Sequence, residues 1–348
     1  MAVLEDHRLT GAQLELLTGP LQRLSGNGRV GVADVTTIRR DVHRLTLDGA
    51  SRASVVVKRM SGPHAQLERL VTGRWLPAVG LDGLGPPRLV AVGDPDGRHA
   101  WHVYDDLGPQ GLDRRDVDLA SLEAAMEKLA ELHVAFSTNP VLPEPRFAAG
   151  DMGVWFYVKS VRDALHAVDL LRPPAVELSA EHEGIRDRVL DLLTQLVDDE
   201  PERVRMLEQR AGPETLVHGD LTRANVFVLA EQGRHRVCLI DWDHCGVAPA
   251  AFDISTQLAY HPEPVRRLVL DAYTAAMAER GCPFPDDLDW RRLVSTFEAG
   301  RLANQVIWVA TGIREGNGWT CEDLAIWRDE LAAAVEGQPI TRLSSGKV

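Results

Sequence analysis

Short apolar runs separated by glycine, proline and aspartate fill the first hundred residues, and this pattern predicts strands rather than long helices. Asp48-Gly49 lies between the first two runs and predicts a β-hairpin. Apolar residues at helical spacing then predict one helix over about 64–77. The predicted strands are 42–47, 54–58, 87–92 and 100–104. Together these elements indicate a small α+β unit that ends near residue 105.

After residue 105 the pattern becomes helical. Leu and Ala recur at three- and four-residue steps in 119–136 and 183–210, and the chain beyond residue 262 is again mostly helical. Two apolar runs, 226–229 and 237–240, predict a hairpin inside this helical half. We therefore expect a small β-rich lobe followed by a larger, mainly helical lobe that carries the hairpin. The expected ranges are 1–105 and 106–348.

The composition indicates an acidic globular protein. The 348 residues include 51 Asp and Glu against 38 Lys and Arg, a formal net charge of −13. This excess argues against a nucleic-acid partner, which would require a basic surface. The four cysteines form no CxxC pair, and no stretch has the run of apolar residues that a membrane span needs. Because early acidic residues stand where a signal peptide would be apolar, we expect a cytoplasmic protein with no membrane partner.

Lysine is rare in this sequence, with four lysines against 34 arginines. One of them, Lys58, follows three valines at the end of a predicted strand, and Glu68 lies in the helix that comes next. A lysine in this position is a candidate to neutralise the charge of a phosphate group. Glu68 is a candidate to pair with its ammonium group and hold it in place.

Polar residues cluster at both ends of the predicted hairpin. The sequence HGDLTRAN, residues 218–225, comes directly before its first strand, and Asp-Trp-Asp, residues 241–243, comes directly after its second. Antiparallel pairing would bring Asn225 and Asp241 to the same end of the hairpin, with Asp220 on the adjoining loop. Carboxylate and amide oxygens suit Mg²⁺, and the absence of thiolates and paired imidazoles disfavours zinc.

These residue types match the needs of phosphoryl transfer, in which the protein supplies positioning and charge neutralisation. One Asp must orient the attacking hydroxyl and accept its proton. A second Asp and an Asn must hold the metal ions that bridge the phosphates, and a Lys must neutralise the phosphates from the other side. The sequence therefore predicts a phosphotransferase site.

HGDLTRAN followed by VCLIDWD resembles the catalytic and metal-binding segments of the aminoglycoside phosphotransferase and choline kinase-like family. The resemblance extends from about residue 35 to about residue 260 and implies an α+β, bilobal protein-kinase-like fold. It assigns Asp220 as the catalytic residue and Asn225 and Asp241 as metal ligands. Lys58 and Glu68 correspond to the family's strand lysine and helix carboxylate.

The resemblance also implies positions for the adenine ring and for two structural residues. WHVYDDLG, residues 101–108, is similar to the hinge between lobes, where backbone groups near Asp105 and Leu107 would meet the adenine edge. His218 is expected to shape the loop that presents Asp220. Asp253 resembles an architectural aspartate of the family rather than a catalytic one.

The segment that clamps the nucleotide phosphates departs from the family pattern. The corresponding residues are 35–41, which contain no glycine. Hydroxyl or guanidinium groups are candidates to replace close backbone amides there. These candidates are Thr36, Thr37, Arg39 and Arg40. SGNGRVG, residues 25–31, is an alternative phosphate loop, and the sequence leaves the two open.

The resemblance implies transfer of the ATP γ-phosphate, with Mg²⁺, to a hydroxyl of a small molecule, and it leaves GTP open as the donor. The acceptor classes are an antibiotic such as an aminoglycoside, or a metabolic amino alcohol or sugar. A non-catalytic ATP-binding pseudokinase is a further alternative, which the intact set of site residues disfavours. A monomer or homodimer is expected. Candidate acceptor contacts are Asp243, Glu298, Arg301 and Trp308.

Overall fold

The computed structural model describes residues 9–24, 30–49, 52–113, 118–231 and 233–337. The strands are β1 (Gly31–Arg39), β2 (Val42–Asp48), β3 (Ser54–Ser61), β4 (Arg88–Gly93), β5 (His99–Asp105), β6 (Glu214–Val217), β7 (Val226–Glu231), β8 (Arg234–Leu239) and β9 (Gly246–Pro249). The helices are α1 (Gly11–Leu24), α2 (Gly62–Leu70), α3 (Leu76–Ala78), α4 (Leu119–Ser137), α5 (Pro143–Ala149), α6 (Val154–Asp169), α7 (Ala180–Asp198), α8 (Glu200–Arg210), α9 (Ala251–Tyr260), α10 (Glu263–Glu279), α11 (Trp290–Glu315) and α12 (Cys321–Val335).

The chain forms two compact units, and the hairpin β7–β8 belongs to the first of them. The first unit is Met1–Asp116 with Val226–Asp243, and the second is Val117–Asn225 with His244–Val348. Backbone hydrogen bonds explain this grouping, because Leu112 donates to Val226 at 2.9 Å and Val228 donates to Gln110 at 3.1 Å. The division therefore differs from the predicted ranges in the placement of the hairpin. Hydrophobic periodicity carries no signal for this long-range pairing.

The first unit is built on an antiparallel sheet in the order β1-β2-β3-β5-β4. Its core is formed by side chains with almost no exposure, which come from α1 and from the covered face of the strands. These residues are Leu17, Leu21, Leu45, Val55, Val57, Trp101 and Val103. The predicted helix over 64–77 is α2, which continues through a π-helical turn at Val71–Trp75 into α3.

The second unit is mainly helical, with the short pair β6–β9 at its centre. The single helical stretch predicted over 183–210 is two helices, α7 and α8. Pro201 explains the break, because proline lacks the N–H that a continuous helix needs and is tolerated in the first turn of a new one. No helix in the described part of the chain is long and apolar enough to cross a membrane.

Candidate active site

Lys58 lies at the centre of the first unit's polar cluster. In β3 it stands opposite Val42 of β2 and His102 of β5, which places it in the interior of the sheet. Its ammonium group forms an ion pair with Asp241 and a second with Asp243, at 3.3 Å. The Lys58 side chain is 15% exposed and that of Asp241 11% exposed, so the pair is largely shielded from water. The structure thus brings together three residues that were predicted from two separate segments.

Both partners of the Lys58–Asp241 pair are held in their charged forms. Burial alone would raise the pKa of Asp241, but the charges of Lys58 and Arg39 outweigh it and hold the pKa well below its usual range. Burial would lower the pKa of Lys58, and the nearby carboxylates, led by Asp241, raise it instead. Asp241 also adopts a left-handed backbone conformation, with φ of 70°, which is uncommon outside glycine. Such strain is typical of functional sites.

Arg39 is the second cation on Asp241, and it forms an ion pair with that carboxylate from the end of β1. The other candidates in 35–41 lie elsewhere. The Thr36 hydroxyl donates to Asp34 at 3.3 Å, and that of Thr37 lies 3.2 Å from His43 Nδ1. Arg40 is in the β1–β2 turn, 73% exposed and 3.6 Å from Asp41. Residues 25–29 of the alternative phosphate loop lie outside the described residues.

Glu68 is placed differently from the predicted pairing with Lys58. Among the described residues, the ion-pair partners of Lys58 are Asp241 and Asp243. Glu68 is 2% exposed and accepts a hydrogen bond of 2.6 Å from the Tyr104 hydroxyl. The sequence carried no signal for Tyr104 beyond an aromatic residue in a strand. Burial raises the pKa of Glu68 from its ordinary 4.5 to about 7, although Lys58 and Tyr104 both act to lower it.

The raised pKa of Glu68 predicts a specific pH dependence of stability. Between pH 4.5 and about 7 the folded protein binds more protons than the unfolded chain, so this contribution to stability is lost as pH rises through that range. We expect Glu68→Gln to remove the effect. As pH rises from 5 to 8, the free energy of unfolding of the variant should therefore increase relative to that of the wild type by on the order of 2 kcal/mol. Urea unfolding in a chelating buffer measures the difference.

The control for this measurement is Glu123→Gln, at an exposed position of α4. Its unfolding curve should shift with pH in parallel with that of the wild type. If Glu68→Gln also ran parallel to the wild type across this pH range, the raised pKa of Glu68 would be wrong.

The predicted adenine-binding segment follows β5. The Asp105 carboxylate pairs with Arg52, and the backbone N–H of Asp105 donates to the Pro87 carbonyl at 3.0 Å. Asp106, which the sequence did not single out, accepts hydrogen bonds from Arg44 at 2.6 Å and from Ser54 at 2.7 Å. Leu107 makes no backbone hydrogen bond within the described part of the chain. Asp106 therefore anchors this segment.

In the second unit, Asp253 organises the loop that carries Asp220. The buried Asp253 carboxylate accepts hydrogen bonds from the backbone N–H groups of His218 at 2.7 Å and Gly219 at 3.0 Å. His133 Nε2 lies 3.3 Å from the same carboxylate. Burial would raise the pKa of Asp253, but these contacts lower it below its ordinary value. Asp253 thus has the architectural position that the family resemblance implied.

Gly219 is required by the path of the same loop. Its φ is 85°, in the left-handed region that side chains disfavour. A Cβ at this position would lie 1.9 Å from the carbonyl oxygen of His244, a contact that backbone atoms cannot relieve. The loop can therefore turn toward Asp220 only with glycine at residue 219.

Asn225 holds Asp220 from the far end of the loop. Its Nδ2 group donates to the Asp220 carbonyl at 2.8 Å and to Asp220 Oδ2 at 3.2 Å, and the Asn225 side chain is buried. The amide nitrogen is thereby directed at Asp220, and the amide oxygen Oδ1 is a hard oxygen of the kind that a divalent cation takes. In the first unit, the ionised Asp241 carboxylate is likewise an oxygen donor of the type that Mg²⁺ takes. The described residues contain no cluster of three or more His, Cys, Asp or Glu that could hold a metal ion.

The predicted acceptor contacts occupy three different environments. Glu298 is 1% exposed and forms an ion pair with Arg301. Arg301 also donates to Ser255 at 2.9 Å and to the Phe252 carbonyl at 2.7 Å, so this pair joins α11 to α9 within the helical core. Trp308 is 63% exposed on α11, and Asp243 is bound to Lys58. The contacts of Glu298 and Arg301 are those of helix packing.

A five-stranded antiparallel sheet in the first unit and a mainly helical second unit that carries the Asp220 loop define a protein-kinase-like fold. Residues 37–294 match the phosphotransferase enzyme family, and the chain belongs to that family. The predicted family, fold class and enzyme class are thereby confirmed. A comparison with curated proteins found no match.

Solved structures of similar fold come from several phosphotransferases. A spectinomycin phosphotransferase in complex with ADP and spectinomycin has a TM-score of 0.61 and 14% identity, covering 93% of this chain and 98% of that chain. A choline kinase from Streptococcus pneumoniae has a TM-score of 0.51 and 15% identity, covering 93% and 97%. A Plasmodium vivax ethanolamine kinase has a TM-score of 0.57 and 14% identity, covering 89% and 82%. At these identities the likeness shows the fold.

Proposed function

We propose that this protein transfers the γ-phosphate of ATP, with Mg²⁺, to a hydroxyl group of a small molecule. The observation that carries the proposal is the shielded pair of Lys58 and Asp241, a cation and an anion that are both kept charged. In a purely structural role such a pair is costly to bury. In a phosphotransferase each member has a ligand of opposite charge, the nucleotide phosphates for Lys58 and a divalent cation for Asp241.

The roles of the other residues follow from their chemistry and from the family pattern. Asp220 orients the acceptor hydroxyl and takes its proton as the oxygen attacks the γ-phosphorus, while the bond to the β-phosphate oxygen breaks. Asn225 and Asp241 hold Mg²⁺, which when bound neutralises charge on the phosphates. The backbone of Leu107, beside Asp105, makes no hydrogen bond among the described residues and binds the adenine edge. Glu68, when ionised, acts on Lys58 through its charge without pairing with it directly.

The acceptor belongs to the class of amino-bearing or sugar-like alcohols. Structural relatives act on spectinomycin, choline and ethanolamine, and we propose an antibiotic such as an aminoglycoside as the first acceptor class. A metabolic amino alcohol or sugar is the second. Dependence on ATP also fits the cytoplasmic location that we expect for the protein.

The test is a mass-shift screen with ATP and Mg²⁺ across aminoglycosides, spectinomycin, choline, ethanolamine and sugars. Addition of one phosphate to any acceptor supports the proposal and identifies the class. Nucleotide binding with no transfer to any acceptor would favour a non-catalytic ATP-binding module. Absence of nucleotide binding would overturn the proposal.

Removing the Lys58 ammonium tests the same proposal inside the protein. We expect Lys58→Met to weaken ATP binding by about 10- to 100-fold, because the nucleotide phosphates lose a charged contact in a shielded site. The control is Lys159→Met, at an exposed lysine of α6 that pairs with Asp163 at 2.8 Å. Calorimetric titration of both variants with ATP measures the effect. Wild-type affinity in Lys58→Met would contradict the role of Lys58.

A further inference from the structure

The two oxygens of the Asp241 carboxylate are each taken by a different cation. Lys58 Nζ binds Oδ1, and Arg39 Nη2 binds Oδ2. The four charged groups in contact here are Lys58, Arg39, Asp241 and Asp243, so their formal charges cancel. A divalent cation on Asp241 would leave this group strongly positive. Metal binding to Asp241 is therefore favoured when one of the two protein cations moves away.

Arg39 is the cation that is free to leave. Lys58 is 15% exposed, sits within the sheet and has a second carboxylate partner in Asp243. The Arg39 side chain is 55% exposed, and Asp241 is its acidic partner within the described residues. Arg39 also lies at the end of β1, next to a register shift between Thr37 and Arg39 and a two-residue turn. Bulges of this kind redirect a side chain away from the regular alternation of the strand.

The sequence of residues 35–41 favours a phosphate-binding role for Arg39. Residues 35–41 contain no glycine whose backbone amide could approach a phosphate closely. A guanidinium group binds phosphate through two parallel hydrogen bonds and so can replace such amides. The nucleotide phosphates offer Arg39 a partner of higher charge than one carboxylate.

We propose that Arg39 is a phosphate-binding residue that occupies Asp241 until nucleotide arrives, and that it thereby makes divalent-cation binding depend on nucleotide. This inference rests on the proposed function. Without nucleotide, Arg39 competes with the metal ion for Asp241 Oδ2. With nucleotide, Arg39 transfers to the phosphates and the carboxylate becomes available. Arg39 thereby disfavours binding of a metal ion to Asp241 in the absence of nucleotide.

Binding of Mn²⁺ in the absence of nucleotide is the direct test, read from the free-ion signal in electron paramagnetic resonance. We expect Arg39→Ala to bind Mn²⁺ about tenfold more tightly than wild type, because the competing cation is gone. The same variant should bind ATP about tenfold more weakly in a chelating buffer, because a charged phosphate contact is lost. The opposite signs of these two changes separate the proposal from general damage to the site.

Arg40→Ala is the matched control, since it removes the same charge from the next residue. The Arg40 side chain pairs with Asp41 and not with Asp241. It should leave Mn²⁺ affinity at the wild-type value. Arg39→Gln keeps a polar side chain without the charge and should show the same two affinity changes as Arg39→Ala. Agreement between the two variants would show that the changes come from the lost charge and not from a folding defect.

Unchanged Mn²⁺ affinity in Arg39→Ala, or an equal gain in Arg40→Ala, would overturn the inference while leaving the proposed function intact. Failure of the wild-type protein to bind ATP at all would instead overturn the proposed function. The two failures are therefore distinguishable.

Discussion

Asp220→Asn is expected to slow phosphoryl transfer by about 10²- to 10⁴-fold, the usual contribution of a general base. The amide keeps the size of the side chain and can still accept the hydrogen bond from Asn225 Nδ2, but it cannot take a proton. ATP affinity should change little, because the catalytic loop and the Lys58 cluster stay as they are. Initial rates with the acceptor found in the screen, together with an ATP titration, measure both quantities.

Asp271→Asn is the matched control for the Asp220 experiment, because it makes the same change at an exposed position of α10 in the same unit. It should retain the wild-type rate. Turnover of Asp220→Asn at that rate would show that another group accepts the proton.

Asp253→Ala is expected to destabilise the protein by about 3–5 kcal/mol, the range found when one partner of a buried charged network is removed. The substitution leaves two backbone N–H groups, those of His218 and Gly219, without their acceptor in a buried place. Transfer activity should fall as well, because those contacts set the path of the loop to Asp220. Urea unfolding and initial rates measure the two effects.

Asp191→Ala serves as the control for stability, since Asp191 is exposed on α7. Its unfolding midpoint should stay near that of the wild type. Equal midpoints for Asp253→Ala and Asp191→Ala would contradict the organising role of Asp253.

The elements nearest to the site were predictable because their signals are local. Three valines before Lys58 and the Asp48-Gly49 pair predict the β2–β3 hairpin, but a two-residue turn would set Val42 opposite Val55, and the longer connection sets it opposite Lys58 instead. The hairpin β7–β8 was predicted from two apolar runs, and its register sets Val226 opposite Leu239. That pattern, with HGDLTRAN before it and Asp-Trp-Asp after it, was enough to identify the family.

Other parts of the site could not be predicted in this way. The sequence suggested that Glu68 pairs with Lys58, yet Glu68 is bound to Tyr104, 36 residues away, because a buried hydroxyl donor is available there. Glu298 and Arg301 were expected at the acceptor site because they follow a polar stripe on one helix. Whether they contact the acceptor stays a prediction, and the stripe gives no signal for the contacts of Arg301 with Ser255, Phe252 and Glu298 between α9 and α11.

The sequence by itself determined the chemistry of this protein: the residue types, the loop that carries Asp220, and the scarce lysine that stands before α2. Only the tertiary structure decided which charges meet. Lys58 and Arg39 lie 183 and 202 residues from Asp241 along the chain, and their contacts with its two oxygens depend on how β1, β3 and β8 are placed in three dimensions. Periodicity and turn signals act over a few residues, whereas ion pairs form between whichever side chains the fold brings within reach.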